Sequence, residues 1–262
     1  SEFKVLCLSK DEFPELPNVS RDRGLSISNF TLKEMIKQTI VAVSNDEIRP
    51  ILTGVLMEVT GDQVTMAALD GFRMAVKIVS ALNDENFKAV IPGKTLIEIG
   101  KILNDSEDPV NIFLSKNQIL FQTGDTTIIS RLLEGEFINY KQLLPTEYKT
   151  KVVLSAEKLL DACERAALFA RDSNNSIKFE IFDDNMNIKS NSDNGDVHEE
   201  LKISKSGEDI EIAFNPKYLI DALRVINKDE INMEFTTSVS PSIIKPTKDP
   251  GFLYLILPVR RR

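Results

Sequence analysis

Apolar residues along this chain shift between two rhythms, every second position and every third or fourth, and the shifts recur twice in the same order. A short alternating run at 24–29 leads into a segment where Leu32, Met35, Ile36, Ile40 and Val43 fall at helical spacing, which predicts a strand followed by a helix over 31–44. Thr31 and Glu34 form the T-x-x-E capping box expected to open that helix. Three strand-like stretches follow near 51–60, 63–69 and 73–80, divided by the turn pairs Gly61-Asp62 and Asp70-Gly71. After another strand at 87–91, Pro92-Gly93 begins a helix over 93–104 with Leu96, Ile99, Gly100 and Leu103 on one side. Strands near 109–115, 118–123 and 126–133 complete the unit.

The second half repeats this order. A strand at 150–154 enters a helix over 155–171 capped by Ser155, with Leu159, Cys163, Ala166 and Ala170 inward. Strands near 175–182, 185–191, 196–204 and 210–214 come next, and Asn215-Pro216 supplies an N-cap and a proline at the first helical position. The helix over 215–228 turns Leu219, Ala222, Leu223 and Ile226 inward, and strands near 230–236, 241–245 and 252–259 close the chain. The helix starts at Thr31 and Gly93 thus recur at Ser155 and Asn215, roughly 120 residues further on. Helices that do not alternate one for one with strands exclude a doubly wound parallel sheet. The fold class is α+β, with two tandem repeats, each carrying two helices packed on one face of antiparallel sheet. The polar stretch 135–149, with Pro145 inside it, reads as the linker.

Length and charge narrow the picture. A chain of 262 residues can bury two cores of ordinary size. With 32 basic and 40 acidic residues its formal charge is −8, which by itself argues against a polyanion as partner. The distribution reverses that inference. The four helical segments hold ten basic and six acidic residues, so the excess of negative charge lies elsewhere. Lys94 and Lys101, Lys158 and Arg165, and Lys217 and Arg224 are each seven apart, and Lys33 and Lys37 are four apart, which places each pair on one helix face away from the apolar stripe. On any one helix such residues merely solvate the exterior. Four equivalent helices doing so in an acidic chain point to a phosphate backbone, bound loosely, without sequence preference and with strong salt dependence.

Enzyme chemistry is not expected. His198 is the only histidine and sits between acidic neighbours on an exposed strand. The chain has no nucleophile elbow, Walker loop or dinucleotide fingerprint, and the acidic stretch 192–196 reads as a hairpin turn rather than a calcium loop. Cys7 and Cys163 lack metal-ligand spacing and read as free thiols of a reducing cytosol, so neither metal nor cofactor is expected. No apolar run approaches the roughly 20 residues that span a bilayer, and no signal-peptide pattern opens the chain. The location expected is cytoplasmic.

Seven segments carry a family resemblance: RPILTGV (49–55), LDGFRMAV (69–76), IPGKTLIEI (91–99), EFINYKQLLP (136–145), ERAAL (164–168), NPKYLIDAL (215–223) and YLILPVR (254–260). In this order, within a repeat architecture, they resemble the bacterial sliding clamp, the beta subunit of DNA polymerase III. The resemblance covers the whole chain and implies a DNA-clamp fold whose helices line a hole around duplex DNA. Members have three repeats and form a head-to-tail homodimer ring. Glu12-Phe13 and Leu16-Pro17 answer Glu136-Phe137 and Leu144-Pro145, so 1–23 reads as the last strand and linker of a first repeat whose body is absent. The middle domain with its linker is then 24–148, and the C-terminal domain 149–262. A chain without the first repeat is expected to be a monomer that does not encircle DNA.

The resemblance also implies a hydrophobic groove between the two units for short peptides of the polymerase and the clamp loader. Carried over by motif, its deep apolar pocket uses Leu52, Leu69, Gly71, Phe72, Arg73, Met74, Pro145, Val152, Leu255 and Leu257. Its shelf uses Arg49, Asn215, Tyr218, Val239, Pro241, Pro258, Val259 and Arg260. Phe72 stands where members often have a smaller or polar ring, Leu69 where threonine is common, and Pro50-Ile51 where some have aromatics. The competing classes are a DNA-binding module that grips duplex directly and a phosphate-handling enzyme.

Overall fold

The computed structural model describes the chain except residues 13–18, 22–23, 82–85, 171–174, 194, 227–228 and 261–262. The repeat partners Phe13, Leu16 and Pro17 and the expected helix ends at 171, 227 and 228 therefore lie outside the described residues.

The first unit runs β1 (Gly24–Ser28), α1 (Asn29–Ile40), β2 (Gly54–Thr60), β3 (Gln63–Leu69), β4 (Arg73–Ser80), β5 (Phe87–Pro92), α2 (Gly93–Ile102), β6 (Pro109–Leu114), β7 (Gln118–Thr123) and β8 (Thr126–Arg131). The second runs β9 (Thr150–Ser155), α3 (Ala156–Ala167), β10 (Ile177–Phe182), β11 (Asn185–Ser192), β12 (Gly195–Lys202), β13 (Ser204–Gly207), β14 (Ile210–Phe214), α4 (Pro216–Val225), β15 (Glu230–Phe235), β16 (Ser242–Pro246) and β17 (Phe252–Ile256). Two small sheets, ordered β1-β6-β7-β8 and β12-β11-β10-β14, belong to one unit each. A nine-stranded sheet, β13-β9-β15-β16-β17-β4-β3-β2-β5, crosses from one unit to the other where β17 pairs antiparallel with β4. The sheets are thus shared at the boundary rather than closed within each repeat.

The four α-helices among the described residues pack against one another in the row α2, α1, α4, α3, with α1 and α4 meeting across the boundary. Helix α1 rests on β3 and β4 and on β1 and β6, α2 on β2 and β5, α3 on β9 to β12, and α4 on β17. Their buried faces and the facing strand residues form the main core, which includes Leu32, Met35, Leu96, Leu159, Leu219, Phe179, Phe214 and Tyr254. Alternate residues of the large sheet point the other way, and Leu52, Leu56, Leu69, Met74, Val76, Val90, Ile243 and Leu255 build a second cluster on that face. Strand β2 is apolar along most of its length because it is covered on both sides.

The linker runs over the second cluster. Phe137 and Leu144 pack on it, and Tyr140 is buried in it. The Tyr140 hydroxyl donates to Glu58 at 3.4 Å, while Lys88 and Lys141 approach the same carboxylate at 2.7 and 3.3 Å. Burial and the adjacent Glu58 charge push the Tyr140 hydroxyl up to about 12. Opposing its own burial, the two lysines hold Glu58 below the usual carboxylate range.

Three local expectations are revised. Helix α1 begins at Asn29, because Ser28 rather than Thr31 is its N-cap: the Ser28 Oγ accepts from the Thr31 N–H at 3.2 Å. The strand expected over 196–204 breaks at Ile203, which is buried, and Ser204–Gly207 crosses to the large sheet to pair with β9. The segment 1–23, expected as a last strand and linker, holds no strand among its described residues, and Phe3, Val5, Leu6 and Leu8 lie exposed.

Candidate functional site

Two surfaces carry the expected site residues: the seam where β4 meets β17, and the outer faces of the helices. At the seam the chain turns from β3 into β4 through Asp70, Gly71, Phe72 and Arg73. Gly71 has φ +93°, a left-handed value that glycine adopts without steric cost. The Asp70 carboxylate accepts from the Phe72 and Arg73 N–H groups at 2.9 and 3.1 Å. Leu69 then stands opposite Met74, and Met74 opposite Leu255. With Leu52, which lies in the 3-10 turn Pro50–Thr53, they form a continuous buried apolar floor.

Around the floor, large apolar groups reach solvent. Phe72 and Val239 are each 58 % exposed, and Leu257 is 36 % exposed. The C-terminal segment lies across the seam: the Leu257 N–H donates to the Phe72 carbonyl at 2.9 Å, and the Val259 N–H to the Ala213 carbonyl at 2.8 Å. Beyond it a cavity of about 380 Å³ brings together Val239, Val259 and Arg260 with Lys178, Glu211, Ile212, Ala213 and Ser238. Lys178 and Glu211 were not legible as site residues, since only the pairing of β10 with β14 puts them there. Pro145 lines a smaller depression beside Ile243 of the second cluster. Tyr218 and Asn215 sit at the start of α4, where the Asn215 side chain accepts from the Lys217 N–H at 3.0 Å. Gly71, Arg49 and Arg260 are exposed, and Pro241 and Pro258 are half-buried.

Two expected pocket residues point elsewhere. Val152 is fully buried in the main core on the helix side, because it stands opposite Met233 in the pleat. Arg73 also faces the helix side, as strand alternation dictates once Met74 faces the floor. Its guanidinium, 8 % exposed, meets Asp70 at 2.9 Å and Asp221 of α4 at 2.6 Å, and its carbon lies 4.6 Å from the Tyr218 ring centroid. Burial disfavours its charge, but Tyr254, Asp221 and Asp70 more than offset that, so its pKa is raised. Arg73 is therefore a pin between the two units rather than a free cation for a guest.

On the helices the eight expected cations project on the side away from the core, and most are already engaged. Lys33 pairs with Asp105 at 2.8 Å, Lys101 with Glu98 at 2.7 Å, Arg165 with Glu199 at 2.7 Å and Arg224 with Glu164 at 2.8 Å. Lys37 lies 3.3 Å from Glu34 and Lys94 4.0 Å from Glu47. Among the described residues Lys158 and Lys217 are exposed and make no ion pair. Glu34 and Glu98 precede their lysines by three residues on the same helices, whereas Asp105, Glu47, Glu199 and Glu164 come from loops and neighbouring elements, which helix periodicity alone does not reveal.

A two-unit chain with a continuous helix layer on one side and an apolar seam joined by a shared sheet defines a clamp-type protein. The family model described as DNA polymerase III beta subunit, central domain, matches residues 26–139, and that of the C-terminal domain matches 141–260. A beta sliding clamp of Staphylococcus aureus is 40 % identical over 265 residues, spanning 99 % of this chain and 70 % of the relative. Among solved structures, a putative DNA polymerase III beta subunit from Eubacterium rectale superposes with a TM-score of 0.93 at 39 % identity, covering 99 % of this chain and 71 % of that one. The DNA polymerase sliding clamp of Bacillus subtilis gives 0.93 at 36 % identity, covering 97 % and 69 %. The chain belongs to the DNA polymerase III beta subunit family, the beta sliding clamps, which are non-catalytic processivity factors of replication.

Proposed function

We propose that this chain tethers a replicative polymerase to duplex DNA, with its helix layer toward the DNA and its seam receiving extended peptides from the polymerase and the clamp loader. The site of action is the cytoplasm, where replication takes place; no described helix is long and apolar enough to cross a membrane. One observation carries the peptide reading: the β4–β17 pairing sets Met74 against Leu255 as a buried floor while Phe72, Val239 and Leu257 stay exposed at its rim. Such an apolar strip with large exposed side chains beside it suits a segment that anchors one or two large side chains. The helix side suits sliding rather than gripping, since most of its expected cations are already paired and, of the eight, Lys158 and Lys217 make no ion pair among the described residues.

The test is titration with a peptide containing Gln-Leu-Ser-Leu-Phe. The unmodified chain binds it, while Met74→Glu and removal of residues 257–262 abolish binding. Because Met74 is buried, Val239→Asp provides a version of the test at an exposed position that leaves the core intact. Unchanged affinity in Val239→Asp and in the truncated chain rejects the seam as the site.

A further inference from the structure

A separate cavity lies on the helix side of the β4–β17 junction and shares no residue with the seam. It holds about 310 Å³, close to the lower bound of small-ligand sites, roughly 300 Å³. One wall comes from α1 and β4 of the first unit, the other from the second unit, after α4 and around the end of β16.

Its lining includes an acceptor without a donor. Gln38 of α1 is 5 % exposed, and its Nε2 donates to the Asp249 carboxylate at 3.2 Å across the boundary. Turning the amide over would set its oxygen against that carboxylate, so Asp249 fixes the orientation. The buried Gln38 Oε1 then accepts no hydrogen bond among the described residues. A buried carbonyl oxygen in that state is costly unless something entering the cavity supplies a donor.

The charges around it favour a cation. Asp249 is neutralised by Lys77, a buried ammonium that donates to both carboxylate oxygens at 2.6 Å. The other two carboxylates of the lining, Glu34 and Asp229, pair with lysines outside it, Lys37 and Lys248, each at 3.3 Å. Those lysines are exposed, and ion pairs of that kind are weak enough to exchange. Between the polar groups the surface is apolar, formed by Phe30, Val79, Ile226 and Pro246. A ligand that meets all of this carries N–H donors, positive charge and an aliphatic body. An inorganic cation lacks the donors and the body, and an anion is repelled by Glu34 and Asp229.

We propose that this cavity binds an aliphatic polyamine: one amine donates to Gln38 Oε1, the outer ammonium groups meet Glu34 and Asp229, and the methylenes lie on the apolar wall. Both units line the site, so its occupation ties α1 to the second unit and raises the melting temperature of the chain. The experiment is calorimetric titration of the whole chain with spermidine at about 0.15 M salt, where attraction between exposed charges is screened beyond about 8 Å. The unmodified chain binds spermidine at a single saturable site, and magnesium chloride at equal concentration does not displace it. Gln38→Met, which removes the acceptor at nearly constant length, weakens binding about tenfold or more. Asp229→Asn, at the partly exposed edge of the cavity, weakens it roughly two- to fivefold. Asp125→Asn, at the exposed turn between β7 and β8, leaves it unchanged. A melting temperature without spermidine close to that of the parent checks that Gln38→Met is folded, and Asp229→Asn decides the matter if it is not. The assignment is overturned by absence of saturable binding, by displacement with magnesium, by parental affinity in both cavity variants, or by equal weakening in Asp125→Asn, which marks diffuse attraction to an acidic chain.

Discussion

Met74 of β4 and Leu255 of β17 stand directly opposite each other in the ladder that joins the two units, both almost wholly removed from water. One residue pair thereby serves the domain junction and the floor of the proposed docking seam. Leu255→Ala leaves a cavity there and costs about 2–5 kcal/mol of stability. Denaturant unfolding measures the loss, with the midpoint lowered and the slope unchanged if both units still melt together.

Arg73 and Asp221 form the polar counterpart of that contact on the helix side of the same strand. Arg73→Met leaves Asp70 and Asp221 without their cation and lowers stability by on the order of 3 kcal/mol. Adding Asp221→Leu returns part of the loss, so the double variant is more stable than the sum of its single changes indicates. Strict additivity in that cycle contradicts the pairing.

Glu58 ties the linker to the sheet, and its folded pKa is depressed by Lys88 and Lys141 against the effect of burial. A depressed carboxylate contributes stability above its ordinary value of 4.5 and loses it as pH falls through the folded pKa. Glu58→Gln is accordingly less stable than the parent at neutral pH. The gap closes as unfolding is measured at progressively lower pH, below the ordinary value. A gap that widens on acidification has the wrong sign.

On the helix layer the unpaired Lys158 and Lys217 meet duplex DNA more readily than Lys33 and Lys101, which are engaged by Asp105 and Glu98. Replacing Lys158 and Lys217 by Ala reduces the slope of log affinity against log salt by about two, as for two lost phosphate contacts. The Lys33 and Lys101 pair of substitutions reduces it less. Low-salt binding to a non-specific duplex separates the two variants.

Much of this architecture was legible in the chain because local signals agreed with the tertiary outcome. Asp70-Gly71 marked a turn that the fold uses where β4 meets β17, and Asn215-Pro216 and Ser155 marked helix starts that are present. What escaped depended on partners distant in sequence. Ser204–Gly207 has no apolar alternation and is a strand only because β9 offers it an edge. Val152 and Arg73 face the helix side through pleat register, which a one-residue shift inverts and which motif matching does not carry. The helix cations could be counted, but four of their carboxylate partners, such as Glu199 for Arg165 and Asp105 for Lys33, lie on other elements. Lys178 and Glu211 joined the rim by the same kind of long-range pairing.

Amide hydrogen exchange of the whole chain, with and without a saturating Gln-Leu-Ser-Leu-Phe peptide, tests most directly whether the seam is the working site. Slowed exchange concentrated in 69–74 and 252–260, with the free edges of β8 and β12 unchanged, is the result expected. Protection centred on those edges or on the linker surface near Glu58, or none at all at saturation, contradicts it.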